Sequence, residues 1–100
     1  MKMIYCTCNV SVVDTIVETL ESLDILDYQV FNHVNVKNVK GDPRLNTPVW
    51  PGYNAAIFMQ ISDDEKVKNV IEVLKEYNQN RFDDELITVC CWSIDTYFYD

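Results

Sequence analysis

Both glycines and all three prolines of this chain fall between Gly41 and Gly52. Glycine opens positive φ to the backbone, and proline fixes φ near one value. Confining both residue types to one stretch leaves the rest of the chain free to run as uninterrupted strand and helix. Segment 37–53 therefore reads as one central loop of restricted shape. It carries an arginine, two aromatic rings and amide side chains, which are groups that grip ligands or partners. Loops held on rigid scaffolds commonly carry function, so this one is the first place to look for a site.

On either side of the loop the pattern is the same. Met3 to Cys8 is short, apolar and rich in strand formers. Ser11 followed by Asp14 has the spacing of a capping box. Val13, Ile16, Val17, Leu20 and Leu23 then recur at helical spacing. Tyr28 to Val36 returns to strand, with Val30, Val34 and Val36 expected on one face and Phe31 and His33 on the other. After the loop, Asn54 to Ile61 alternates as a strand. Ser62-Asp63-Asp64-Glu65 predicts a second capping box, and Val67, Val70, Ile71 and Leu74 mark the second helix. Leu86 to Ile94 is the last strand. The order β-α-β, loop, β-α-β predicts an α+β, ferredoxin-like βαββαβ fold over residues 1–100. Its four-stranded antiparallel sheet carries two helices on one face, and the first strand lies between the third and fourth. The uncovered face keeps apolar groups, including Phe58 and Trp92, so it is expected to pack against sister subunits.

One hundred residues is the size of a single domain. The net charge of −8 and the absence of a basic stripe argue against a nucleic-acid partner. Nothing in the N-terminal run resembles a signal peptide, and no apolar segment reaches the length needed to span a bilayer. The chain reads as cytoplasmic, and its four cysteines as reduced thiols.

The start Met1-Lys2-Met3-Ile4, the element order, and the loop entry from Val36 to Arg44 together resemble the nitrogen regulatory PII family. The likeness is to a short-looped variant of the kind linked with heavy-metal efflux, and the architecture is similar to the trimeric CutA proteins as well. The resemblance implies a non-enzymatic signal-transduction protein. It implies a homotrimer with a cleft between subunits, roofed by the central loop, where a nucleotide or other small anion binds. A membrane transporter or another cytoplasmic protein is the implied partner. By position, Gly41, Arg44, Trp50 and Tyr53 are the ligand-binding candidates. Gly41 lets backbone amides approach a ligand, Arg44 offers a planar donor fork, and Trp50 offers a stacking surface. Nucleotide-binding members carry a glycine-rich, lysine-bearing turn after the second helix. Here Asn78 to Asp84 has neither residue, and only Arg81 could stand in. The cofactor is not legible.

The cysteines offer a different reading. Cys6 and Cys8 share one face of the first strand by alternation. Cys90 and Cys91 lie in the neighbouring fourth strand, where one of the pair can face the first two. Cys6, Cys8 and Cys90 could then hold a soft metal such as Cu(I) or Zn in a metal-homeostasis role. Against this stands the ordinary use of cysteine as a small core hydrophobe. His33, the only histidine, has no nucleophile arranged around it and reads as a strand residue. A phosphatase of the acylphosphatase type would need Arg44 and Asn46 aimed at one anion, but no glycine-rich cradle precedes a helix.

Overall fold

The computed structural model describes residues 1–35, 54–79 and 86–98. Strand β1 (Lys2–Asn9) leads through a short 3-10 turn, Val10–Val12, into helix α1 (Val13–Ser22). Strand β2 (Tyr28–Val34) and strand β3 (Asn54–Ile61) follow, then helix α2 (Asp64–Asn78) and strand β4 (Thr88–Ser93). The sheet order is β2-β3-β1-β4, with every neighbouring pair antiparallel. The first strand thus lies between the third and fourth, as the repeated β-α-β pattern requires.

Alternation along the strands decides which side chains meet the helices. Ile4, Cys6 and Cys8 of β1 face the same way as Ala55, Ile57, Met59 and Ile61 of β3, and all are buried. Ile16 and Leu20 of α1 and Val70 and Leu74 of α2 close over them. Each fully buried aliphatic side chain contributes about 1.5–3 kcal/mol relative to exposure, so this single layer supplies most of the fold's driving force.

Helix ends are set by named side chains, and two differ from the expected caps. Asn9, not Ser11, receives the chain at the first turn. Its Oδ1 accepts from the Ser11 N–H at 2.9 Å, and α1 itself starts at Val13 with no side-chain cap. At α2 the cap is Asp63, one residue beyond Ser62, and its Oδ1 accepts from the Glu65 and Lys66 N–H groups. In both cases an Asx side chain reaches two residues ahead, which is the stronger local pairing.

Helix α1 is capped at Leu23, and the next residue, Asp24, has a left-handed φ of 62°. The Ile25 N–H bonds the Leu20 carbonyl at 2.8 Å and the Asp24 N–H bonds that of Glu21 at 3.0 Å, which closes a Schellman turn. A non-glycine residue there costs about 1–2 kcal/mol. Lys66 offsets part of this, donating from Nζ to the Asp24 carbonyl and to Asp24 Oδ2, each at 3.1 Å.

The entry to β4 is held by one amide. Asn78 Nδ2 donates to the Ile87 carbonyl, and Asn78 Oδ1 accepts from the Ile87 N–H, both at 2.9 Å. The side chain takes the place of a strand partner at the last turn of α2. Asn78→Ala leaves both backbone groups without that partner. It is expected to cost about 1–3 kcal/mol, read as a lower midpoint in urea unfolding with an unchanged slope.

Candidate functional site

Strands β1 and β3 end and begin at the same end of the sheet, at Asn9 and Asn54, beside Val34 of β2 and Thr88 of β4. Segments 36–53 and 80–85 both join the sheet at this end. The ligand-binding candidates Gly41, Arg44, Trp50 and Tyr53, and Arg81 as well, lie outside the described residues. The sheet to which they connect is described, and its uncovered face is divided in two.

The half away from the loop is aromatic. Tyr5 and Phe58 meet at 4.7 Å between ring centroids with their planes tilted by 40°, and Phe31 meets Phe58 edge-on at 5.6 Å. Trp92 of β4 lies opposite Met3 in register and so extends the same face. Phe31 is 52% exposed and Trp92 45%. Offset and edge-on ring pairs add about 0.5–1.5 kcal/mol beyond burial. The cluster is therefore ordered, yet half of its outer rings faces water.

The loop-bearing half is polar, uncharged and buried. Thr7, Asn9 and Asn54 all lie on it with almost no exposure. The Thr7 and Thr88 hydroxyls meet each other across the β1–β4 pair. Asn54 is fully buried, and among the described residues neither its Nδ2 nor its Oδ1 has a hydrogen-bond partner. A buried amide without partners costs about 1–3 kcal/mol. The sequence carries a signal for this residue only in its place as the first residue after the loop.

A shift in β2–β3 pairing lies beside Asn54. Phe31 pairs with Ala56, but Val34 pairs with Asn54, so β2 spends one extra residue between them. Simple alternation puts Val34 with Val30. The irregularity instead turns Val34 to the uncovered face, because an extra residue in one strand inverts every later side chain. His33 sits in this bulged stretch and is exposed.

The thiols divide between the two sides of the sheet. Cys6 and Cys8 are fully buried under the helices. Cys90 pairs with Tyr5 and so shares the uncovered face, whereas Cys91, paired with Ile4, shares the helix side. Cys6, Cys8 and Cys90 therefore do not converge. Among the described residues no group of three His, Cys, Asp or Glu side chains is placed to hold a metal. A hydrogen bond to Cys8, followed by burial and the charge of a neighbouring Cys8 thiolate, pushes the Cys6 thiol far above its ordinary range.

At the opposite end of the sheet is a cleft of about 790 Å³ that the sequence reading missed. Asp24, Asp27, Asp63 and Lys66 line it, and Gln29 and Gln60, bonded to each other at 3.0 Å, form part of its wall. The chain beyond β4 passes over this end. The Ile94 N–H bonds the Met1 carbonyl at 3.0 Å, and the Tyr97 hydroxyl donates to Asp27 Oδ2 at 2.7 Å. The sequence gives no sign of this cleft, because spacing along the chain says nothing of how the ends of three elements meet. No helix among the described residues is long and apolar enough to cross a membrane.

No protein-family profile matches the chain, and no curated protein matches it in sequence. Solved structures do. A PII-like signalling protein of Thermus thermophilus superposes with a TM-score of 0.66 at 14% identity, covering 91% of this chain and 83% of that one. CPII of Thiomonas intermedia, described as a nitrogen regulatory PII-like protein bound to ADP, AMP and bicarbonate, gives 0.72 at 10% identity, with 95% and 88% covered. The chain thus shares the fold of PII-like signalling proteins over nearly its whole length.

The state of the Cys6 thiol is open to measurement. The unfolded chain ionises this group near pH ~8.5, while the folded chain keeps it protonated well above that. Its contribution is therefore fully present below pH ~8.5 and is lost as the pH rises. Comparing unfolding free energies at pH 8 and pH 10, wild type is expected to lose about 2 kcal/mol more than Cys6→Ala over that interval, with the slope approaching about 1.4 kcal/mol per pH unit at its upper end. Parallel curves for the two proteins contradict the assignment.

Proposed function

We propose that this chain is a non-enzymatic regulatory protein of the PII-like kind. It assembles as a homotrimer and binds a small ligand at the junctions between subunits, where the central loop 37–53 enters and leaves the sheet. The observation that carries this reading is the uncovered aromatic face, set in a fold shared with CPII. Phe31, Phe58 and Tyr5 are ordered by one another, Trp92 extends their face, and Phe31 and Trp92 stay about half-solvated, which suits a surface completed by another copy. Burying the exposed remainder of Phe31 and Trp92 contributes on the order of 1 kcal/mol for each ring, multiplied around the assembly.

Gly41, Arg44, Trp50 and Tyr53 are the proposed ligand contacts of the loop. ADP, AMP and bicarbonate, the ligands named for CPII, are the first classes to test. Regulation follows as a population shift. A ligand with different affinity for two arrangements of the loop biases which arrangement a partner meets, and it shifts the balance by no more than that difference. The partner is a cytoplasmic protein or a membrane transporter, and the chain acts on the cytoplasmic side. Catalysis has no support among the described residues, where no nucleophile, base and orienting group come together.

Two measurements check this. Light scattering on the purified protein is expected to give about three times the 11.7 kDa chain mass, and Phe31→Asp, which puts a charge into the proposed interface, to shift it toward the single chain. A wild-type mass of one chain overturns the assembly. In thermal-shift titrations, ADP or AMP is expected to raise the midpoint of wild type. Arg44→Ala is expected to remove that rise while keeping the unliganded midpoint within about 2 °C, as for a surface change of roughly 0.5 kcal/mol or less.

A further inference from the structure

On the helix side of the sheet, Val89 and Cys91 of β4 stand opposite Cys6 and Ile4 of β1. Cys6 and Ile4 are completely buried, yet Val89 is 36% exposed and Cys91 is exposed as well. Helix α2 therefore stops short of the last strand. The shortfall leaves a groove of about 320 Å³, lined by Ile71, Leu74 and Lys75 of α2 and by Ile87, Val89 and Cys91. Along its outer rim β4 also lacks a strand partner among the described residues.

These two deficits suit one kind of guest. A row of main-chain donors and acceptors is complemented by another extended backbone. A strand added there turns every second side chain to the helix side, in line with Ile87, Val89 and Cys91. A small apolar molecule fills the groove but leaves the row unpaired. The sheet's other edge, β2, is a poor mate for it. The β2–β3 pairing shifts between Phe31 and Val34, and such a bulge twists an edge away from regular pairing. Strand β4, by contrast, keeps an unbroken register with β1 from Thr88 to Ser93. Charge narrows the guest further. The six residues of β4 are uncharged, and Lys75 lines the groove without an ion-pair partner among the described residues.

We propose that β4 and the groove beside α2 form a docking site for an extended segment of a partner protein. The segment adds as a fifth strand, sets apolar side chains into the groove at alternate positions, and carries a carboxylate that meets Lys75. Main-chain bonds supply affinity, and the groove selects the sequence. This goes beyond the sensor reading and does not rest on it, because it uses neither the central loop nor a small ligand.

Fluorescence anisotropy on the purified protein tests this with a labelled synthetic strand of alternating valine and threonine that carries one glutamate. Saturable binding is expected, with none for a scrambled strand of the same composition. Methylating the amide nitrogens of one set of alternate residues is expected to abolish binding, while methylating the other set leaves it. An added strand turns only one of its edges to β4. Any other pattern, or no binding of the unmethylated strand, overturns the proposal. Cys91→Leu fills the groove from an exposed position. It is expected to weaken binding about tenfold or more without lowering the melting midpoint, and unchanged binding contradicts the groove's role. Lys75 is exposed, and Lys75→Glu is expected to reverse the preference between strands carrying glutamate and lysine. An unaltered preference removes the carboxylate from the proposal. Light scattering identifies the competing occupant. The number of chains per particle is expected to stay the same when the strand is added. If the strand splits an assembly into smaller species, the edge belongs to another copy and the proposal falls. The response to ADP or AMP is read separately, so either reading can fail while the other stands.

Discussion

Two helices can shield only one side of a four-stranded sheet, and the rest of this molecule is arranged around that shortfall. On the shielded side β1 and β3 contribute aliphatic, methionine and cysteine side chains that vanish under α1 and α2. On the other side the same two strands must present groups that hold the strands together without a helix layer over them. The chain answers with interlocked rings toward one end, Tyr5, Phe58 and Phe31, and with neutral amides and hydroxyls toward the other. Neither half carries a charge on the central strands beyond the terminal Lys2. A net charge of −8 therefore resides on helices, turns and termini, and the uncovered face stays free of the repulsion that would keep copies apart.

Much of this is legible in the residues, because alternation and helical spacing report directly on which side of an element is dry. Val13, Ile16 and Leu20 at helical spacing, and Ala55, Ile57, Met59 and Ile61 at every second position, lead to the right layers and hence to the right strand order. The capping residues are displaced by one or two positions from the sequence expectation, since Ser11 and Ser62 match the usual pattern while Asn9 and Asp63 hold the bonds. A pattern of types does not say which of two nearby polar side chains wins the N–H groups. The bulge between Phe31 and Val34 is hidden for a related reason. It is a property of two strands in register, and the residues of β2 alone do not reveal it.

The candidate site shows the same limit. Alternation correctly places Cys6 and Cys8 on one face, but the choice between Cys90 and Cys91 depends on whether Tyr5 or Ile4 stands opposite, which is register again. Asn54 is inconspicuous in the sequence because asparagine after a loop is ordinary. Only its complete burial, with both amide atoms unmatched among the described residues, makes it unusual. The cleft around Asp24, Asp27 and Lys66 needs the ends of α1, β3 and the C-terminal segment to meet, and those ends are far apart along the chain. What the sequence conveys well is periodicity within an element. What it withholds is the phase between elements.

Strand β4 closes the sheet on one side with six residues, Thr88 to Ser93, that are uncharged, lack proline and are exposed throughout. Among the described residues its outer rim is an unpaired row of backbone donors and acceptors. A further strand can add along such an edge, so β4 is the side of the sheet most open to main-chain pairing with another extended segment.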